Sequence, residues 1–509
     1  MDIFTQFILD HEHDDTGRLL LNRGKRPDID MDLAVHTIEG RRRMRAKMPQ
    51  WHSVPGLRYP TRLCTEQCSS AATARYKAAL AARILSGDAV REHEGDVMPD
   101  ETKRPTGNIA DLTGGLGVDA WAFSHVAKEV LHNEMDPLLS EAVRQNFTLL
   151  GISNVIFRNA CAAPGRIAGI LEEFHPGLIF LDPARRAGDG RKVFRLEDCQ
   201  PDILTLEDEL LRHAPHLLLK ISPMADISLI VKQLNDGKST ERMKQGQVRQ
   251  EQLNQGKVRE VHVVEAEGEC KELLIWIDRD WNGPFRIIVC NADRMDTGQP
   301  GTCRISSRQD AESRAIPQFV TGPETLCGAL LFEPGKALSK AGLFNTLCDG
   351  TGLLKLSRHT HLYLVSPAAF PPGQDGAAPQ SRAGDAPAKG AESDSPGRER
   401  KEYTATALSA FGKLFRIIEV YPLSGKTLKA VGKAWPRADV TAKDLPLSSD
   451  ELRKRLGVIS DAAVHIFGCR VTGPAASGGP GRSGNSRTTK DGAPKDPAFL
   501  IVSEPVTDA

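Results

Sequence analysis

From Gly107 to Ile277, short β-branched or leucine-rich runs alternate with helical stretches, and nothing else in the chain narrows its fold as much. Strands are expected at Asn108–Leu112, Glu129–Glu134, Asn154–Arg158, Gly177–Asp182, His216–Ile221, Val258–Glu265 and Lys271–Ile277. Helical stretches separate the first five and lead into the sixth. That spacing fits crossovers between parallel strands covered on both faces. Only Ala266–Cys270 separates the last two, which leaves room for a hairpin and none for a crossover. The seventh strand should therefore be antiparallel. One helix is signposted at both ends: Asp136 as N-cap, Pro137 at the first helical position and Gly151 at the close. Leu138, Leu139, Ala142, Phe147 and Leu150 would form its buried side. The expected class is α/β, with a Rossmann-like seven-stranded sheet over residues 101–280.

The chain has 509 residues, enough for about three domains. Residues 1–100 read as helical, with apolar and charged residues mixed at helical spacing in Leu33–Met48 and Thr65–Leu85. Residues 235–256 are a polar insertion rich in Gln, Lys and Glu. Residues 281–366 read as a small α+β unit, with strands at Arg286–Cys290, Ala329–Phe332, Leu353–Leu356 and His361–Val365 and a helix at Pro334–Cys348. Residues 367–402 are a Gly-, Pro-, Ala- and Ser-rich linker, expected to be disordered. Residues 403–509 form a last α/β unit, with a low-complexity loop at 473–496.

Lys+Arg and Asp+Glu are both 66, so the formal net charge is zero. That excludes a globally basic nucleic-acid coat but leaves room for a local basic face. Aromatics at 5% are too scarce for extended stacking on single strands. No apolar run approaches the roughly 18–20 residues that cross a bilayer. The start, MDIFTQFILDHEHDD, carries acids where a signal peptide needs bases, so the expected location is cytoplasmic. Ten cysteines are too sparse for a disulfide scaffold. Cys64 and Cys68 lack a second Cys/His pair at a finger spacing, and no metal is expected.

The strongest chemical signal is Asp111-Leu-Thr-Gly-Gly-Leu-Gly-Val-Asp-Ala120, between a strand and a helix. Its glycines permit a tight turn and close approach of a ligand to the backbone. Asp111, Thr113, Gly114, Gly115 and Gly117 are the cofactor-binding candidates there. Glu134 ends the next strand, 23 residues after Asp111, where a carboxylate accepts from a ribose diol. Turn plus acid points to an adenosine-containing ligand, either NAD or S-adenosylmethionine. Asp182-Pro183 closes the fourth strand at the edge where open α/β sheets bind ligands. Such a corner and an antiparallel seventh strand both favour the methyl donor.

The chain resembles a bacterial family of class I S-adenosylmethionine-dependent methyltransferases with a ferredoxin-like domain and a C-terminal THUMP-like domain. The resemblance rests on Glu66-Gln-Cys-Ser-Ser70, Ala74-Arg-Tyr-Lys77, the glycine turn, and Leu181-Asp-Pro-Ala-Arg-Arg186. It continues through Leu219-Lys-Ile-Ser-Pro-Met-Ala-Asp226, Val261-His-Val-Val264, Glu269-Cys-Lys-Glu-Leu-Leu274 and Leu331-Phe-Glu-Pro334. It implies that residues 281–366 are ferredoxin-like and 403–509 THUMP-like. It also implies that Glu134 binds ribose, that Asn159 and Ala160 lie at the adenine edge, and that Asp182, Pro183 and Arg185 form the catalytic loop. Ala184 and Arg185 stand where many nitrogen methyltransferases have Pro and an aromatic residue, so no ring is evident to stack on a base. Asp182 and the Pro183 carbonyl would accept from the N–H of a nucleophile. Arg186 and Lys220 are candidates for binding substrate; Lys220 would hold a phosphate, and a structural role suits it equally well.

Local charge bears on the substrate. Arg41-Arg-Arg-Met-Arg-Ala-Lys47 is one basic run, and Lys426, Lys429 and Lys433 lie on one face of a predicted helix. Such faces grip phosphates. Methyl transfer to a nitrogen of tRNA or rRNA is the leading expectation. The alternatives are a protein or small-molecule acceptor, an inactive RNA-binding adaptor and an NAD-dependent oxidoreductase.

Overall fold

The computed structural model describes residues 1–87, 107–185, 196–236, 256–297, 304–308, 311–348, 352–365, 408–472 and 496–506. The chain divides into two compact units, Met1–Gln309 and Asp310–Ala509.

In the first unit the strands are β1 (Ile109–Asp111), β2 (Val130–Asn133), β3 (Val155–Arg158), β4 (Leu178–Leu181), the two-residue β5 (Ala184–Arg185) and β6 (Cys199–Gln200), β7 (His216–Ile221), β8 (Val258–Ala266), β9 (Glu269–Asp278), β10 (Arg286–Asn291) and β11 (Arg304–Arg308). Nine form one sheet in the order β3-β2-β1-β4-β7-β9-β8-β10-β11. β3, β2, β1, β4 and β7 are mutually parallel. β9 runs antiparallel to both neighbours, as expected. Its hairpin with β8 turns on Glu267 and Gly268, at φ +54° and +68°, the signs a type I′ turn demands. β1 and β4 are buried throughout because helices cover both faces.

Among the described residues the sheet has nine strands rather than seven. Arg286–Asn291, expected in the small α+β unit, pairs parallel with β8 instead. β8 is buried almost end to end, so its outer edge needs a partner. Val289 and Cys290 are themselves fully buried.

Among the described residues six α-helices precede the sheet: α1 (Ile3–Asp10), α2 (Thr16–Leu21), α3 (Met31–Lys47), α4 (Pro49–His52), α5 (Arg62–Gln67) and α6 (Ala71–Ser86). The helical region around Thr65–Leu85 is two helices, because Cys68 takes extended backbone and Ser70 caps α6 by accepting from Thr73 N–H. The run Arg41–Lys47 does not form a free basic face. Arg41 is buried against Glu12 at 3.1 Å and donates to the His52 and Val54 carbonyls. Arg42 donates to the Glu12 carbonyl, Arg43 to Thr65 Oγ1, and Lys47 to the Thr65 and Glu66 carbonyls. Short helices end on carbonyls without intrahelical partners, and these cations satisfy them.

After β1 comes α7 (Val118–Ser124); after β2 comes α8 (Pro137–Leu149), capped by Asp136 with Pro137 at its first position. Ala142 and Phe147 are buried as expected, but Leu138 is exposed. Leu138 lies in the first turn, at the rim of the sheet edge.

The second unit holds β12 (Leu330–Pro334), β13 (Leu353–Lys355), β14 (Tyr363–Val365), β15 (Gly412–Pro422), β16 (Asp439–Ala442), β17 (His465–Arg470) and β18 (Ala498–Pro505). They form one sheet, in the order β13-β14-β12-β15-β18-β17-β16. β12 pairs antiparallel with β15, so the segments on either side of the expected linker share a sheet. One face packs Leu331, Phe415, Phe467 and Ile501 together. The other meets helices Gly425–Ala434 and Ser449–Leu456, each opened by a capping box. A Cβ at Gly432 would lie 1.8 Å from the Leu456 carbonyl oxygen, so these helices meet at a glycine. The helix expected at Pro334–Cys348 is shorter, Lys336–Ala341. Most of the polar insertion and of the 473–496 loop, and nearly all of the 367–402 linker with its flanks, lie outside the described residues.

Candidate functional site

β4, β1, β2 and β3 lie side by side, and the loops at their carboxyl ends carry nearly every cofactor-site residue proposed from the sequence. Asp111, at the end of β1, is buried, and its Oδ1 accepts from Thr113 N–H at 3.1 Å. Burial pushes its carboxyl well above the usual range, helped by neighbouring Asp119, Asp182 and Glu134. Such a group gains by meeting a cation.

The glycines differ in what they do. At Gly114 a Cβ would strike the His132 ring at 2.2 Å. Gly117 opens α7 at φ +82°, and a Cβ there would meet Phe147 and Val143 within 2.9 Å. Both are needed for packing. Gly115, at φ +54°, faces open space. That is the position where a ligand can lie against the backbone.

Glu134 joins two loops. Its Oε2 accepts from Gly115 N–H and its Oε1 from Asp136 N–H, both at 2.8 Å. Each oxygen keeps a lone pair for a further donor, such as a ribose hydroxyl. Asn159 is exposed beyond β3, and its Nδ2 donates to the Glu134 carbonyl at 2.6 Å. Its Oδ1 remains an acceptor. The Ala160 carbonyl accepts from Asn133 Nδ2 at 3.0 Å, which fixes that loop.

The Asp-Pro corner is tied directly to the turn. Asp182 N–H donates to Thr113 Oγ1 at 2.6 Å. Pro183 is buried, and Ala184–Arg185 pairs with Cys199–Gln200 beyond the corner. Arg186 lies outside the described residues.

Lys220 is paired inside the protein. Its Nζ donates to Asp182 Oδ2 at 2.5 Å and lies 4.0 Å from Glu272 Oε2. Burial works against its charge, but Asp182, Glu272 and Asp119 outweigh that and raise it above the usual lysine range. Behind it, Lys77 of α6 donates to Glu272 at 2.8 and 3.1 Å and to Ser69 Oγ at 2.9 Å. Lys77 also lies 3.2 Å from Asp119. Lys77, Glu272, Asp119 and Ser69 were not proposed as site residues. Their signal was legible: Lys77 sits against Ala78-Ala79-Leu80-Ala81, and Glu272 precedes Leu273-Leu274-Ile275. A charge on a fully apolar face requires a partner.

His132, inside β2 under the turn, is fully buried, and neither ring nitrogen has a hydrogen-bond partner among the described residues. Burial lowers its pKa to about 4, so it is a neutral packing group at pH 7. Cys64 and Cys68 donate to the Thr61 and Thr65 carbonyls, and burial pushes the Cys68 thiol up to about 11. Among the described residues no three His, Cys, Asp or Glu side chains gather as a metal site. No helix there is long and apolar enough to cross a membrane.

Lys426, Lys429 and Lys433 are exposed on helix Gly425–Ala434 of the second unit.

Comparison with known proteins agrees with this architecture. Residues 412–477 match the family described as THUMP domain-like, and residues 330–371 match a ferredoxin-like domain. A crystal structure of a candidate methyltransferase from Porphyromonas gingivalis W83 is 24% identical. The match covers 99% of this chain and 97% of that one, with a TM-score of 0.66. The chain therefore has that methyltransferase fold across both units. Partial matches include a candidate methyltransferase from Streptococcus mutans solved with SAH, at 13% identity over 39% of this chain and 95% of that one, TM-score 0.22. An rRNA methylase from Streptococcus thermophilus matches at 11% identity over 35% and 89%, TM-score 0.21. No curated protein sequence matches the chain.

Proposed function

We propose that this protein is an S-adenosylmethionine-dependent methyltransferase acting on tRNA or rRNA. One observation carries the reading: the turn after β1, the acid after β2 and the corner after β4 are hydrogen-bonded into one edge, through Thr113–Asp182 and Gly115–Glu134. The residues suit the donor. Asp111 offers its buried carboxyl, raised by burial, to an ammonium, Glu134 accepts from a ribose diol, and Asn159 and Ala160 border the purine. The open space at Gly115 admits the ligand against the chain. When bound, the donor supplies a methyl group on a sulfonium. The protein's part is alignment: Thr113 fixes the Asp182 backbone beside the turn, so acceptor and methyl meet in line.

The Asp-Pro corner read alone points to a nitrogen acceptor held by Asp182 and the Pro183 carbonyl. The antiparallel β9, a finishing strand that NAD domains do not need, weighs against the oxidoreductase reading. The intact Asp182–Lys220 pair weighs against a decayed adaptor. RNA as substrate is supported by the THUMP-like match and by the exposed lysines of its helix. Replacing Lys426, Lys429 and Lys433 by Ala should weaken RNA binding and flatten its salt dependence by up to about three charges.

The deciding experiment is calorimetric titration of the full chain with S-adenosylmethionine, followed by tritiated methyl transfer to RNA from a strain lacking this protein. Saturable binding and RNA labelling are expected. No binding at millimolar donor would leave the adaptor.

A further inference from the structure

Four charged side chains from four elements form one file toward the site edge: Lys77 on α6, Glu272 on β9, Lys220 on β7 and Asp182 after β4. The signs alternate. Lys77 holds Glu272 at 2.8 Å, Glu272 lies 4.0 Å from Lys220, and Lys220 holds Asp182 at 2.5 Å. Side-chain exposure rises along the file, from 0% at Lys77 through 4% at Glu272 and 14% at Lys220 to 36% at Asp182. Only the Lys220–Asp182 end can meet a substrate. Apolar side chains would close this part of the sheet at lower desolvation cost. The file therefore has a use at its open end.

That use follows from the charge at the acceptor. Methylating a nitrogen builds positive charge on it, and an ammonium fixed beside Asp182 opposes that. A hydroxyl oxygen gives up its proton and gathers negative charge on the way to the ether. The same ammonium then stabilises the transition state. Stacking agrees. A base nitrogen must be presented flat against a ring or its equivalent, and the corner continues into exposed Ala184. A ribose hydroxyl lies on the outside of the RNA backbone and needs no such platform.

We infer that the acceptor is a ribose 2′-hydroxyl of RNA, with Lys220 and Asp182 as catalytic residues and Glu272 and Lys77 as positioning residues behind them. This rests on the methyl-transfer reading and changes only the acceptor atom. The hydroxyl donates to Asp182 Oδ1, which meets no donor among the described residues. Lys220 Nζ donates to the hydroxyl oxygen. An oxygen lone pair forms the new O–C bond while the C–S bond of the sulfonium breaks, its electrons staying on sulfur. The hydroxyl proton passes to Asp182 and from there to solvent. Glu272, anchored by Lys77, keeps Lys220 on this side of β7.

The test uses the full chain, tritiated donor and RNA from a strain lacking this protein, digested in alkali. Alkali cleaves RNA only next to a free 2′-hydroxyl. Label in alkali-resistant dinucleotides is expected; label in mononucleotides carrying a methylated base overturns the inference and leaves methyl transfer standing. Label in protein instead of RNA overturns it too. No label anywhere sinks the underlying function as well. Lys220→Met should lower kcat by about 100-fold or more, with KM for RNA and donor nearly unchanged. Lys220→Arg, which keeps the cation, should recover part of it. Full activity in Lys220→Met overturns the assignment. Retained thermal protection by S-adenosylhomocysteine shows that the variant is folded. Should Lys220→Met not fold, Glu272→Gln must still lower kcat by about tenfold, and the alkali result stands without either variant.

Discussion

Two files of buried polar groups start one residue apart on α6 and end differently. One runs from Lys77 through Glu272 and Lys220 to the open corner at Asp182. The other joins Tyr76, His262, Glu260 and Arg83: Tyr76 Oη to His262 Nδ1 at 2.6 Å, His262 Nε2 to Glu260 at 2.9 Å, and Arg83 to Glu260 at 3.1 Å. The second file is sealed; Tyr76, His262 and Glu260 are all buried, and Arg83 lies over the Trp276 ring. Their carboxylates behave oppositely. Burial pushes Glu260 up, but hydrogen bonds from His262 and Arg83 outweigh it and hold it well below the usual range. At Glu272 burial wins over Lys77 and Lys220, and the carboxyl is raised. The sealed file acts as a staple between α6 and β8. The open one brings paired charge to the exposed corner after β4.

The sharpest test is Asp182→Ala, at the open end. Methyl incorporation should fall by about 1,000-fold or more, while donor affinity stays within about tenfold. Unchanged incorporation would remove Asp182 from the chemistry. Next, Arg83→Met should cost about 3–5 kcal/mol of stability in a denaturant titration, because Glu260 loses its cation. Turnover per folded molecule should hold. Lys77→Met should cost a similar amount and also slow turnover, about tenfold. If both variants slow turnover alike, the distinction between the files is lost. A smaller effect is expected at Glu134→Ala, which should raise the donor Kd by about tenfold. An unaltered Kd would contradict its ribose role.

His132 provides the limiting case, a buried polar side chain with no hydrogen-bond partner among the described residues. Its folded pKa is about 4 against an ordinary 6.5. Between those values the unfolded chain takes up the proton first, so stability falls as pH drops from about 6.5 to about 4, by up to about 3 kcal/mol. His132→Phe, packed against Phe147 and Phe157, should flatten that limb of the melting-temperature profile. A slope that persists in the variant would place the effect elsewhere.

Periodicity and turn chemistry made the methyltransferase sheet legible, including its antiparallel strand, because each signal was local. β10 was misplaced because an edge strand completing a distant sheet carries no local mark of its partner. The two basic stretches show the same limit. Arg41–Lys47 and Lys426–Lys433 read alike as sequence. The first, though, is folded in among carbonyls and Glu12, while the second stays exposed. Lys220 was legible at the right edge, but its pairing with Asp182 was not, since pairing across β7 and β4 is a matter of register. Lys77 and Glu272 carry no local signal of each other. Their meeting needs α6 to cross the sheet, 195 residues away in sequence.

The β12–β15 pairing decides how the second unit can be dissected. Leu330–Pro334 hydrogen-bonds to Gly412–Arg416, and Leu331 and Phe415 lie in the same core. Truncation at residue 403 would bare one edge of β12 and half of that apolar layer, inviting strand-to-strand aggregation. Domain swaps, chimeras and protease-trimmed fragments should therefore treat 310–509 as indivisible, with the scissors placed near Gln309.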